Sequence, residues 1–252
     1  MQKISPKTLF IGRKIIQLPS CESTNSVALE LLYKNEATEG TVVTTLEQTR
    51  GRGQRGNTWE AEGGQNITLS LVLFPRFLSV AQQFYLNMAV SLAALEVGQA
   101  CLSGMLTIKW PNDLFQENKK WGGVLIENGV SGNRLQHSVI GIGLNVNQTQ
   151  FQSPQATSFS LITGKSFDLN QLTSLLLEHL EKRYLELRQL NFAKLRQDYL
   201  YHLYRFQELS SYEVDGHKVS GTILGVAENG QLAVQIEKQV RYFSFKEIAY
   251  SF

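Results

Sequence analysis

Cysteine is nearly missing from this 252-residue chain: Cys21 and Cys101 are the only two. They stand far apart, outside any Cys-x-x-Cys or Cys/His spacing, which excludes a zinc-ribbon type of site and a disulfide-dense secreted scaffold. Both are expected to be reduced, buried thiols. An excess of one charge is also lacking, since 24 Lys and Arg face 22 Asp and Glu for a net charge of +2. That balance points to no nucleic acid and no membrane surface as the main partner. No run approaches the roughly 20 apolar residues that a bilayer-crossing helix requires. The start, Met-Gln-Lys-Ile-Ser-Pro-Lys, has no apolar segment of signal-peptide length, so the expected compartment is cytoplasmic. A Gly-x4-Gly-Lys-Ser/Thr stretch is absent, which excludes a P-loop nucleotidase. The four histidines, at 137, 179, 202 and 217, show no triad or metal spacing.

What the chain does have is concentrated in three segments. The run Gln48-Thr-Arg-Gly-Arg-Gly-Gln-Arg-Gly-Asn-Thr-Trp59 joins three glycines, three arginines and an aromatic ring in twelve residues. Gly51, Gly53 and Gly56 permit positive φ and let backbone N–H groups converge on an oxyanion. Arg50, Arg52 and Arg55 supply guanidinium forks suited to phosphate or carboxylate. Alone, such a stretch reads as a basic surface loop between two strands. Lys109-Trp-Pro-Asn-Asp113 and Lys119-Lys-Trp-Gly-Gly123 add a second cluster of charge and glycine, and the expected ligand is then an anion, a nucleotide above all.

The periodicity predicts strands over 15–18, 41–46, 67–74, 106–109 and 139–146 and a hairpin of 114–115 with 121–127 turning through 117–119. Helices are predicted from Ser23 or Thr24 as the cap, over 80–100, over 168–187 and over 192–204. In the strand at 139–146, Gly141 and Gly143 mark a bulge or a close approach of a ligand. From about residue 208 short strands separated by glycines read as a separate small β-barrel. Strands joined by hairpins with helices beside them indicate α+β rather than alternating βαβ. At this length roughly three-quarters of the extended-chain surface can be buried.

In the same order along the chain, Glu22-Ser-Thr-Asn25, Gln48 to Trp59, Lys109 to Asp113, Lys120-Trp-Gly-Gly-Val-Leu-Ile-Glu127 and Gly141-Ile-Gly-Leu-Asn-Val-Asn147 resemble the motifs of the biotin protein ligases. These enzymes attach biotin to a lysine of a carrier protein. The resemblance runs from about residue 12 to the end and thins toward the C-terminus. It implies an α+β fold with a mixed, mainly antiparallel sheet of the class II aminoacyl-tRNA-synthetase-like type and a small C-terminal SH3-like β-barrel, divided as 1–206 and 207–252. It implies biotin and ATP as substrates, Mg2+ with the triphosphate, and a biotin carboxyl carrier protein or carboxylase domain as partner. A homodimer is a further expectation. A monofunctional ligase is expected, because only about twenty residues precede Ser23, too few for the DNA-binding winged helix of the family's repressors.

Residue by residue, the resemblance places Ser23, Thr24, Asn25, Gln48, Gly51, Arg52, Gly53, Gln54, Lys120, Gly122 and Gly123 around biotin. Arg52, Arg55, Trp59, Asn112 and Asn145 fall on the nucleotide side, with Trp59 either an adenine platform or a core ring. Lys120, Arg52 and Asp113 are the expected catalytic groups, Asp113 either orienting the incoming lysine or helping to hold Mg2+. Strand alternation lets only one of Lys119 and Lys120 face the site. The chain departs from the family loop at Gln54 and Asn57, where basic residues are usual, so one phosphate-facing charge is missing. A lipoate ligase is the alternative enzyme, although its Arg-Arg-x-x-Gly-Gly-Gly loop is absent, and a non-catalytic biotin sensor is the alternative from another class.

Overall fold

The computed structural model describes residues 3–251, apart from the side chain of Arg55. The first sheet is built from β1 (Ile15–Cys21), β2 (Val42–Gln48), β3 (Ile67–Leu73), β4 (Leu106–Lys109), β5 (Asp113–Gln116), β6 (Lys119–Ser131) and β7 (Arg134–Leu144). Its seven strands lie in the order β1-β2-β3-β7-β6-β5-β4. Only the β1–β2 pair is parallel; the other neighbours are antiparallel. The five α-helices among the described residues are α1 (Thr24–Tyr33), α2 (Gln83–Cys101), α3 (Phe159–Thr163), α4 (Leu169–Arg188) and α5 (Phe192–Tyr201). A second sheet of β8 (Leu209–Val214), β9 (His217–Val226), β10 (Leu232–Ile236), β11 (Gln239–Phe243) and β12 (Ala249–Tyr250) is antiparallel throughout, in the order β11-β10-β9-β8-β12. The class is α+β, with the small SH3-like unit that the glycine-punctuated strands announce.

The two faces of the larger sheet have different tasks, and strand alternation assigns them. Ile67, Leu69, Leu71 and Leu73 of β3 join Ile140, Ile142 and Leu144 of β7 in the main core with Leu92 and Leu95 of α2 and Leu176 and Leu180 of α4. That burial of aliphatic side chains is the dominant favourable term, about 1.5–3 kcal/mol for each one fully removed from water. On the opposite face α1 covers only one end, where Ala28 packs with Val43, Val72 and Val139. The rest of that face carries Thr68 and Ser70 of β3 opposite Gly143 and Gly141 of β7, a polar and glycine-rich floor.

Several elements differ from the sequence expectation for identifiable reasons. The β6–β7 hairpin extends through Ser131 and Arg134, although its polar tip gave no apolar alternation to read. No bulge occurs at Gly141 or Gly143, whose register with β3 is continuous; the glycines instead make room for side chains. Ser23 occupies the N-cap position of α1 without a side-chain cap hydrogen bond. The Gln48 side chain does that work from β2, its Oε1 accepting from Thr24 N at 2.9 Å. Asp168, by contrast, caps α4 by accepting from the N–H groups of Asn170 and Gln171. Cys21 and Cys101 are free but only half-buried, and that partial burial pushes both thiols up from their ordinary pKa.

The N-terminal arm is fastened to α4 chiefly by Glu181, with Glu178 accepting from Lys7 N–H at 2.8 Å beside it. Glu181, 6% exposed, accepts from the backbone N–H of Leu9 at 2.5 Å, Phe10 at 2.8 Å and Ile11 at 2.9 Å. Glu181→Ala strands three donors at once, and the expected loss is about 3 kcal/mol, read as a lowered denaturant midpoint at unchanged slope.

Candidate active site

A cavity of about 370 Å3 opens on the glycine-rich face of the larger sheet. Four separated stretches wall it: the start of α1, the loop after β2, the β4–β5 turn with the start of β6, and residues 245–250 of the C-terminal unit. Its floor is made by residues of one parity. Gly123 pairs with Gly143 and Leu125 with Gly141, so at three of these four positions the sheet presents hydrogen where side chains would otherwise stand.

Each of these glycines is matched to a group lying on it. A Cβ at Gly141 would come 2.5 Å from Asn25 Oδ1, and one at Gly143 would come 2.4 Å from Trp59 Cε2. At Gly123 the neighbours would be Asp113 Oδ1 at 3.3 Å and Lys120 Nζ at 3.4 Å. Trp59 therefore lies against β7, and its Nε1 is buried without a partner among the described residues.

Lys120 enters the cavity while Lys119 is exposed. The β5–β6 register slips at this point, Leu114 facing Gly122 and Phe115 facing Lys120. That bulge turns Trp121 into the core, where it is fully buried, and aims Lys120 at the site face. Its ammonium meets Asp113 Oδ1 at 2.5 Å and lies 5.7 Å from the Trp59 ring centroid. Asp113 thus has a partner that neither of its expected tasks required. The Lys120 backbone is pinned from both sides, its N–H donating to Gln155 O at 2.7 Å and its carbonyl accepting from Thr157 N at 2.8 Å.

Beside the other half of the cavity runs a polar chain, of which Thr24, Asn25, Gln48 and Arg52 line the cavity. Gln48 Oε1 also accepts from Thr24 Oγ1 at 3.2 Å. Ser70 Oγ stands 2.7 Å from Thr24 Oγ1 and 2.5 Å from Asn25 Oδ1, with one proton to give to either. Asn25 Nδ2 donates to Glu127 Oε2 at 2.7 Å, and an Arg52 guanidinium N–H donates to Glu127 Oε1 at 2.6 Å. Ser23, Thr24 and Asn25 are all buried.

Of the residues singled out in the sequence, Ser23, Thr24, Asn25, Gln48, Arg52, Gly53, Gln54, Trp59, Asn112, Asp113, Lys120 and Gly123 line this cavity. Asn112 donates its side-chain N–H to Val124 O, which locks the β4–β5 turn over β6. Three others do not line it. Gly122 faces the core, where a Cβ would meet Leu114 and Leu144 at 2.9 Å. Gly51 lets the loop fold on itself, since a Cβ would come 2.4 Å from Trp59 O. Asn145 holds the chain after β7, donating to Thr157 O at 3.0 Å. The Arg55 side chain lies outside the described residues.

The structure adds residues that the sequence reading passed over. Ser70 signalled itself only through parity, as a polar group in phase with the glycines, and Glu127 was quoted at the end of its motif without a role. Lys109, quoted in its motif without a role, lines the cavity with its ammonium 5.0 Å from the Phe115 ring and 4.9 Å from the Tyr250 ring. Burial pushes its pKa below the ordinary value, and Asp113 partly counters that. Phe245, Lys246 and Tyr250 reach the same cavity from the C-terminal unit. Trp110 ties that unit down, its Nε1 donating to Gly230 O at 2.9 Å.

Fold and site together define an α+β enzyme unit, in which a glycine-arginine loop and a strand-borne lysine share one cavity. The chain belongs to the biotin/lipoate A/B protein ligase family, which matches it over residues 18–145. Among curated proteins it is 31% identical over 228 residues to the biotin--[acetyl-CoA-carboxylase] ligase of Paracoccus denitrificans, covering 86% of this chain and 92% of that one. It is 34% identical over 183 residues to the bifunctional ligase/repressor BirA of Bacillus spizizenii, covering 71% of this chain and 56% of the relative. The chain thus spans little more than half the length of that relative. Among solved structures, the biotin protein ligase of Aquifex aeolicus in complex with biotin and ATP superposes with a TM-score of 0.78 at 24% identity, covering 95% of this chain and all of the other. No helix among the described residues is long and apolar enough to cross a membrane.

Proposed function

We propose that this protein is a biotin protein ligase of the cytoplasm, which forms biotinyl-5'-AMP from biotin and ATP and passes the biotinyl group to a lysine of a biotin carboxyl carrier protein. The observation that carries this reading is the meeting of Arg52 and Lys120, from segments about seventy residues apart, in one cavity. In the first half-reaction a carboxylate oxygen bonds to the α-phosphorus as the bond to the leaving pyrophosphate breaks. Two anions approach, so fixed cations are needed where charge gathers. In the second, a neutral lysine amine attacks the acyl carbon and AMP leaves. Asp113, beside Lys120, is placed to orient that amine.

Ser23, Thr24, Asn25 and Gln48 suit the polar edge of biotin, and Gly53 and Gly123 suit close backbone approach. Trp59 and Asn112 are assigned to the nucleotide side. The names of the Paracoccus and Bacillus relatives, and the Aquifex structure with biotin and ATP, support biotin over lipoate. The division into 1–206 and 207–252 belongs to the same reading, supported by the second sheet starting at Leu209. Pairing of two copies along a sheet edge also belongs to it, β1 being an edge strand.

Mg2+ is expected with the triphosphate. Among the described residues no group of three or more His, Cys, Asp or Glu could hold a metal ion, and no step is assigned to it.

The direct test is incubation with ATP and either biotin or lipoate, following acid-labile adenylate and pyrophosphate. Biotin-dependent release supports the reading. Lipoate-dependent release, or tight biotin binding without turnover, overturns it. Gln54 lines the cavity where the family loop carries a cation, so Gln54→Arg is expected to slow escape of the adenylate by about tenfold, the worth of one charge-assisted hydrogen bond. A pulse-chase off-rate at or above wild type removes Gln54 from the adenylate's surroundings.

A further inference from the structure

One wall of the cavity is borrowed from the second sheet, and something must hold it in place. Phe245, Lys246, Ile248, Ala249 and Tyr250 line the cavity, yet they follow β11, an edge strand that pairs only with β10. The sheet alone therefore does not fix where they lie against the larger sheet. Lys246 is moreover held at φ +77, a left-handed backbone that a residue with a side chain keeps only when its surroundings impose it.

Trp110 touches both the wall and the unit that carries it. Only 5% exposed, it donates its Nε1–H to Gly230 O at 2.9 Å and meets the Phe245 ring edge-on, with centroids 6.3 Å apart and planes at 61°. The same β4–β5 turn delivers Asn112 and Asp113 to the cavity. The β9–β10 turn is shaped to enter the notch beside Trp110. Its Ala227 N–H donates to Gln231 O at 2.8 Å and its Gly230 N–H to Ala227 O at 2.9 Å. Gly230 stands at φ +90 with its backbone against the Phe84 ring of α2, where a Cβ would come 2.6 Å from Cδ2. Glycine alone combines that φ with that approach.

We propose that Trp110 and Gly230 are positioning residues for the nucleotide: the turn at 227–231, seated between Trp110 and Phe84, fixes residues 245–250 as the wall that completes the ATP end of the cavity. Lys246, with the Lys109 ammonium 4.9 Å from the Tyr250 ring, makes this end cationic, which suits a triphosphate and its pyrophosphate product. The polar groups assigned to biotin stand on α1 and β2 and do not depend on the seat. The assignment to ATP rests on the functional reading above; the seating of the wall does not.

The experiment uses the full chain as wild type, G230A, W110F and the G230A/F84L double variant. The KM values for ATP and biotin in pyrophosphate release are measured beside calorimetric Kd values for biotin and for a non-hydrolysable ATP analogue, and beside amide exchange over residues 244–250. In G230A the new methyl group meets the Phe84 ring and lifts the turn, so exchange in the wall should accelerate. The KM for ATP and the Kd of the analogue should rise about 10- to 100-fold, the cost of misplacing binding groups by about 1 Å, while the Kd of biotin stays within about twofold. W110F keeps an aromatic ring and loses one N–H donor, and the analogue should bind about threefold to tenfold more weakly. Leucine at position 84 can give way to the methyl group, so the double variant should bind the analogue better than G230A, a rescue that plain destabilisation would not produce. Equal weakening of biotin and analogue, wild-type analogue binding in folded G230A and W110F, or no rescue in a folded double variant overturns the proposal. Should G230A fail to fold, W110F carries the comparison. A wild-type chain that binds the analogue but makes no adenylate sinks the functional reading and leaves the seat to be decided by the binding and exchange data; one that binds no nucleotide overturns both.

Discussion

Lys120→Ala is expected to lower adenylate formation by at least 10²- to 10³-fold, the usual consequence of removing one donor aimed at developing charge, while leaving the fold intact. The two halves of that expectation have separate grounds. The side chain is 32% exposed, so its loss opens no core cavity, and the backbone of residue 120 keeps its bonds to Gln155 and Thr157 whatever the side chain. The ammonium, however, is the group that β6 aims into the cavity through its bulge. Its contact with Asp113 suggests a rival explanation, in which Lys120 merely holds Asp113 in place. Asp113→Asn separates the two. It breaks the ion pair and keeps the ammonium, so pyrophosphate release should survive far better than in Lys120→Ala, and transfer to the carrier lysine should fall. Near-normal pyrophosphate release by folded Lys120→Ala, or equal losses of that step in both variants, would remove Lys120 from the chemistry.

Glycine-rich and charged segments were legible in the sequence because their chemistry is local. The loop from Gln48 to Trp59 and the strand after Lys120 carry their meaning in consecutive residues. The α+β class was likewise legible from hairpin signals and apolar periods, since the β3 strand and α2 read almost as they stand. What could not be read depends on alignment between strands distant in the chain. Ser70 matters because the β3–β7 register sets it opposite Gly141, and Glu127 because its parity matches that of Gly123. Asn145 was assigned to a ligand from its motif, yet it secures the chain before α3. The contribution of residues 245–250 to the cavity needed the second sheet to dock on the β4–β5 turn, which no local pattern encodes.

Parity also explains the pair of glycines in β7, and the second large effect is expected there. Gly141→Ala and Gly143→Ala add one methyl group each to a strand whose φ values at these positions lie outside the left-handed region. Alanine is accordingly allowed by the backbone, and in a strand it is ordinarily the better residue by roughly 0.5–1 kcal/mol. Both variants should still fold, with stability lowered by about 1–3 kcal/mol where the hydrogen bonds of buried Asn25 are lost. Function should fall much further, because the new Cβ would stand 2.5 Å from Asn25 Oδ1 in one case and 2.4 Å from the Trp59 ring in the other. Such approaches force Asn25 or the indole away from the floor, and a displacement of about 1 Å at a binding group can cost on the order of 10²-fold in rate. The two variants should fail differently. Gly141→Ala disturbs the Ser70–Asn25–Glu127 chain and should raise the KM for biotin; Gly143→Ala lifts Trp59 and should raise the KM for ATP. Substrate-dependent kinetics on both, beside thermal melts, distinguish the outcomes. Equal increases for both substrates in each variant would mean that the cavity has no biotin side and nucleotide side divided between Asn25 and Trp59. Unchanged kinetics in two folded variants would mean that the glycine floor does not lie beneath the reacting molecules at all.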